Sequence, residues 1–141
     1  MISCTRKIEF DAAHRVVGHQ GKCYKLHGHR YIVEATFVAK ELSDIGMVID
    51  FSDIKEKLGG WVGKNWDHNA ILNISDKILG DQISSNIEQT IYYMDQNPTA
   101  ENMAKHLLHV ICPQLFKDSG IKCIKIRLYE TPNCYAEAEK Q

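Results

Sequence analysis

A chain of 141 residues and 16.1 kDa has room for one compact domain, expected to span residues 1–141, and little for a second. Hydrophobic residues at 44% and charged residues at 25% exclude disorder, collagen-like repeats and a disulfide-dense miniprotein. With 17 Lys and Arg against 18 Asp and Glu, a formal charge of -1, there is no basic excess of the kind that binds phosphate backbones, and no nucleic-acid partner is expected. No apolar run approaches the roughly 20 residues that span a bilayer, and the start M-I-S-C-T-R-K-I-E-F lacks the apolar stretch of a signal peptide. The expected location is cytoplasmic, without a membrane partner. Five scattered cysteines without a C-x-x-C pair argue against a disulfide framework, so most are expected to be reduced thiols, with Cys4, Cys112, Cys123 and Cys134 as buried small hydrophobes.

Residues 2–10 alternate, with Ile2, Cys4, Arg6, Ile8 and Phe10 on one face, and predict a strand. After a polar, glycine-bearing stretch at 18–25, residues 27–40 are rich in β-formers and predict an antiparallel partner. Asp50 is an expected N-cap, with Asp53 in the first turn, for a helix burying Ile54, Leu58, Trp61 and Val62. Gly59-Gly60 weakens it, since an interior glycine costs about 1 kcal/mol against alanine, so a kink or stop is expected there. Residues 74–90 lack a clean period and read as a connection with at most a short helical turn, and 91–94 as a short strand.

Beyond Pro98 the cap Thr99 opens a helix to about Lys117 that buries Met103, Leu107, Val110, Ile111 and Leu115, with Pro113 bending its last turn. Gly120 stops it. Alternation over 121–130 puts Ile124, Ile126 and Leu128 on one face with Lys122 and Glu130, and a last strand around 134–139 pairs back across Thr131-Pro132-Asn133. The order strand, strand, helix, helix, strand, strand predicts an α+β fold with an antiparallel four-stranded sheet and two helices.

His27-Gly28-His29 aims two imidazoles to one side of a strand, and the antiparallel return brings His14 within reach. Three neutral nitrogen donors with a vacant fourth position suit a catalytic zinc. Cys23, four residues before His27, has two readings. As a fourth ligand it closes a structural zinc site; as a free thiolate, favoured by a nearby cation and by Lys22 or Lys25, it takes up a proton. Asp67-His68 offers a carboxylate that orients an imidazole, though such a pair is more often a surface turn or cap. Glu130, at the end of an inward row, needs a partner or ligand, with a core salt bridge as the simpler reading. Glu101 is explained by the helix dipole. His19 reads as a loop residue, and His106 and His109 as solvated helix residues. There is no P-loop, G-x-G-x-x-G, H-E-x-x-H or G-x-S-x-G.

The segments F-D-A-A-H at 10–14, C-Y-K-L-H-G-H at 23–29, V-I-D-F at 48–51, W-D-H-N-A-I-L-N at 66–73, N-P-T-A-E-N at 97–102 and Y-E-T-P at 129–132 together resemble the 6-pyruvoyltetrahydropterin synthase superfamily. The three-residue gap between Cys23 and His27 is similar to the branch that makes a 6-carboxylated tetrahydropterin for queuosine biosynthesis. The resemblance implies a tunnelling fold assembled as a homohexamer, a dimer of trimers with active sites between subunits. It implies zinc on His14, His27 and His29, Cys23 as the proton-abstracting thiolate, and Asp67 and His68 as a relay. Glu130 would grip the pterin ring, sometimes counted with the relay, and Thr99 and Glu101 would sit at the substrate. The implied reaction takes 7,8-dihydroneopterin triphosphate to 6-carboxytetrahydropterin, acetaldehyde and triphosphate; Arg15, Lys22 and Lys25 are the nearby cations for the triphosphate. The alternatives are the pyruvoyl synthase, acting on the same substrate, and a non-catalytic zinc or pterin-binding module. Trp66 stands where the family often has leucine, and 74–97 is longer than the corresponding connection in compact carboxy synthases.

Overall fold

The computed structural model describes residues 1–141. Its centre is the antiparallel pair of β1 (Ser3–His14) and β2 (His27–Ala39), in register from Ser3↔Val38 to His14↔His27. β5 (Ile121–Thr131) and β6 (Cys134–Glu139) extend it antiparallel beyond β2. On the other edge β3 (Asn69–Asn73) and β4 (Ile91–Met94) add parallel strands, so the sheet has six strands in the order β4-β3-β1-β2-β5-β6. The expected α+β class holds, but the four-stranded antiparallel sheet is corrected to a six-stranded mixed one. Strand β3 escapes period-two reading because Ala70, Ile71 and Leu72 are all buried, as in strands covered on both faces.

One face of the sheet carries the core. Even-numbered β1 residues and odd-numbered β2 residues point inward, burying Phe10, Ala12, Tyr31, Val33, Ala35 and Phe37. Helix α1 (51–65) lays Ile54, Leu58 and Val62 on them, and its N-cap Asp50 accepts from Ser52 N at 2.8 Å. Each such side chain contributes roughly 1.5–3 kcal/mol on full burial. Gly59-Gly60 neither stops nor breaks α1; the helix widens into a π turn over Lys55–Gly59 and continues.

Helix α2 (Lys77–Ile87) occupies the segment expected to be a connection. Ile78 is 79% and Ile87 67% exposed, so no buried stripe marks it; it docks through Gly80, which lies under the Tyr93 ring of β4. Helix α3 (100–115) starts at Thr99, whose hydroxyl accepts from Asn102 N at 3.1 Å. A π turn over Leu107–Ile111, just before Pro113, rotates its face, so that Leu108 is buried and Val110, expected inside, is exposed. In β5 a register shift opposite Thr36 and Phe37 buries Cys123 in place of the expected Ile124. The opposite sheet face, free of the α1 and α3 core, is laced with charge: Arg30 bonds Asp11 and Glu9, and Arg127 bonds Glu137. All five cysteines are free thiols, as expected; Cys134 is exposed in the final hairpin and not a core residue.

Candidate metal centre and an Asp-His pair on the opposite face

His14 pairs with His27, and Ala12 with His29, so strand alternation turns all three imidazoles to the same side. Their donor atoms lie within 4.8 Å of one another. The structure also sets which nitrogen each of two rings presents. His14 Nδ1 faces the Pro98 carbonyl at 2.6 Å and His27 Nδ1 faces the Lys25 carbonyl at 2.7 Å. A carbonyl only accepts, so both Nδ1 atoms carry the proton and both Nε2 atoms present lone pairs. Those two Nε2 atoms are 3.1 Å apart. Two facing lone pairs repel unless a cation lies between them, and two nitrogens on a tetrahedral zinc sit about 3.3 Å apart.

His29 Nε2 is buried without a hydrogen-bond partner, 4.0 Å from Glu130 Oε2. Burial pushes His14 down to about 4, the neighbouring imidazoles acting in the same direction and the Pro98 carbonyl against them. Burial likewise lowers His29, against the Glu130 carboxylate and with His27. Neutral imidazoles are the ligating form. The donor set therefore fits a borderline-soft cation such as zinc.

Cys23 sits in the short turn Lys22–Tyr24, half-buried, and is not among the mutually close donors. Glu130 continues the inward row of Ile126 and Leu128 on β5, which faces the same side as the odd-numbered residues of β2, so its carboxylate lies toward His29; the β5–β6 register shifts beside it, between Tyr129 and Thr131. Arg15 is already engaged, with Nε 2.8 Å from Asp76 and its guanidinium 4.4 Å over Tyr24, whereas Lys22 and Lys25 are exposed. The Thr99 hydroxyl is used as a helix cap and Glu101 is exposed in the first turn of α3.

The functional part of N-P-T-A-E-N that sequence reasoning missed is the Pro98 carbonyl that orients His14. Asn97 holds it there, accepting from Val17 N at 3.1 Å, donating to Val17 O at 2.8 Å and accepting from Asn73 Nδ2 at 3.1 Å. The only signal available was the motif itself, since a backbone acceptor has no residue signature.

Asp67 and His68 gather elsewhere. Asp67 Oδ1 accepts from Asp11 N at 3.0 Å and lies 2.9 Å from His68 Nδ1. Burial raises the Asp67 carboxyl, but the Asp11 N–H, His68 and Arg30 outweigh it and hold the group below the usual carboxylate range. Asp11 pairs with Arg30 on the outward face of β1–β2, away from Phe10, Ala12 and His14. His68 borders a cavity of about 510 Å³ whose lining also includes Asp11, Arg30, Gln89, Ile83 and Ile87. The His68 side chain is 78% exposed. In one chain the histidine triad and the Asp67-His68 pair occupy opposite faces of the same strands.

His106 departs from its expected solvated role. Tyr92 OH lies 2.7 Å from its Nε2, and the ring lies 6.3 Å from Trp61 and 6.4 Å from Trp66. Burial lowers its pKa, against Asp95.

A mixed sheet covered by helices on its core face, with three convergent imidazoles at the end of its central hairpin, defines an α+β protein with a metal-competent histidine centre. Residues 3–141 match the family model described as 6-pyruvoyl tetrahydropterin synthase, and the chain belongs to that family. It is 52% identical over 137 residues to the 6-carboxy-5,6,7,8-tetrahydropterin synthase of Rickettsia bellii, covering 97% of this chain and 99% of the relative. The protein of the same name from Aquifex aeolicus is 32% identical over 127 residues, covering 85% and 77%. An uncharacterised protein of Wolinella succinogenes shares the fold with a TM-score of 0.82 at 20% identity, covering 99% and 98%. The 6-pyruvoyl tetrahydropterin synthase of Caenorhabditis elegans shares it at 0.65 and 22%, covering 99% and 96%. No helix is long and apolar enough to cross a membrane.

Proposed function

We propose that this chain is a zinc-dependent 6-carboxy-5,6,7,8-tetrahydropterin synthase. It acts as a lyase on 7,8-dihydroneopterin triphosphate, consuming one water and releasing 6-carboxytetrahydropterin, acetaldehyde and triphosphate in queuosine biosynthesis. The observation that carries the reading is the pair of His14 and His27 Nε2 atoms 3.1 Å apart, with each Nδ1 committed to a carbonyl. The name shared by relatives such as that of Rickettsia bellii, 52% identical over nearly the whole chain, supports the choice of product.

Zinc held by His14, His27 and His29 would make the substrate's side-chain hydroxyls more acidic. Cys23, outside the donor cluster, takes a proton from the side chain as a thiolate. His68 moves a proton on the other side of it, its ring oriented by Asp67 at 2.9 Å. Glu130 accepts from the amino and ring N–H edge of the pterin, a charge-assisted contact. Thr99 and Glu101 border the substrate. Because the triad and the Asp67-His68 pair lie on opposite faces of one chain, a substrate touching both needs two copies. A cytoplasmic homohexamer, a dimer of trimers with active sites between subunits, meets that need.

Mass spectrometry of the pterins formed from 7,8-dihydroneopterin triphosphate tests the reading. A 6-carboxytetrahydropterin product is expected; a 6-pyruvoyl product, or untouched substrate as for a binding module, would overturn it.

A further inference from the structure

We infer that Gln89 is a positioning residue for His68, supplied by the long connection between β3 and β4; this deepens the proposed function and rests on its reading of His68. His68 adopts φ 59°, the left-handed region that a residue with a Cβ enters at a cost. Its side chain is 78% exposed and held at one point, Nδ1 against Asp67 Oδ1 at 2.9 Å. The direction of the ring therefore depends on the backbone beneath it.

That backbone is gripped from both sides. The His68 N–H donates to the Asp11 carbonyl at 2.6 Å, and the His68 carbonyl accepts from Gln89 Nε2 at 2.8 Å. The Gln89 amide also reaches Asn69 Oδ1 at 3.3 Å and the Thr90 carbonyl at 3.1 Å, tying together both sides of the crossing from His68 into β3 and from α2 into β4. Gln89 arrives there because Glu88, the C-cap of α2, is itself left-handed at φ 56° and turns the chain back toward His68. The parallel register Ala70↔Ile91 starts just beyond and fixes the separation. The same segment supplies Ile83 and Ile87 to the wall of the cavity that His68 borders. The Gln89 amide thus ties left-handed His68 to the segment that follows left-handed Glu88. Rotation of the His68 peptide would break its bond to Gln89 and swing the ring away from Asp67.

The test uses Gln89→Met, which keeps the length of the side chain and removes the donor, and Gln89→Lys, which restores one. In the whole protein carrying nitrogen-15 histidine, the His68 ring is expected as a single Nδ1–H tautomer. Gln89→Met should give a mixture, with kcat down about five- to tenfold, as for one lost hydrogen bond, and KM, bound metal and melting temperature unchanged. Gln89→Lys should recover most of both the tautomer and kcat. An unchanged ring spectrum in Gln89→Met overturns the inference whatever reaction the protein catalyses, because that readout needs no turnover. Activity lost in both variants in step with a lower melting temperature would also overturn it, reducing Gln89 to a structural residue.

Discussion

The Nε2 atoms of His14 and His27 face each other at 3.1 Å while the Nδ1 atom of each ring is fixed on a backbone carbonyl. The protein thereby sets both tautomers before any ion arrives, which lowers the reorganisation that metal capture requires. Replacing either ring by alanine should remove bound zinc, measured by elemental analysis, from about one ion per chain to near zero, as expected for a site with three protein ligands.

Cys23 separates a catalytic from a structural centre. If Cys23, outside the donor cluster, is the proton acceptor proposed above, Cys23→Ala should leave zinc content and melting temperature in place. Turnover should fall by about a hundredfold to ten-thousandfold, the usual weight of general acid–base catalysis. Joint loss of zinc and stability in that variant would make Cys23 a fourth ligand.

His106 gives a pH prediction. Burial holds its imidazole below the ordinary 6.5, so between that value and the folded pKa the unfolded chain binds the extra proton. Its contribution to stability is then complete above pH 6.5 and is lost as the pH falls through the folded value. Replacing it in His106→Gln should flatten the fall in melting temperature between pH 7 and 5; curves that stay parallel at every pH would exclude a role for its titration.

Gly80 is where α2 meets the sheet. A Cβ there would run into the Tyr93 ring, whose hydroxyl donates to Asp81 at 2.8 Å. Gly80→Ala should destabilise the protein by about 1–3 kcal/mol, the usual cost of overpacking, measured by denaturant unfolding. A stability equal to wild type would show that Tyr93 moves aside freely.

The histidine triad was legible in the sequence because period two and an antiparallel return are enough to gather His14, His27 and His29. The caps Asp50 and Thr99 were legible for the same local reason, a side-chain oxygen just ahead of an apolar helical run. What escaped were features without a local pattern. Helix α2 exposes Ile78 and Ile87 and so has no buried stripe, and β3 is buried on both faces and does not alternate. The π turn in α3 shifted the stripe after Leu107, moving Val110 outward. His106 acquires its neighbours from α1 and β4, and Pro98 reaches His14 across 84 positions. No spacing rule encodes such contacts.

The most direct measurement of the proposed reaction is the ratio of acetaldehyde to triphosphate released by the zinc-loaded protein acting on 7,8-dihydroneopterin triphosphate. Equal amounts are expected, because cleavage of the side-chain carbon bond and loss of triphosphate accompany one turnover. Triphosphate released without acetaldehyde would contradict the carboxy synthase assignment and leave the pyruvoyl reaction in its place.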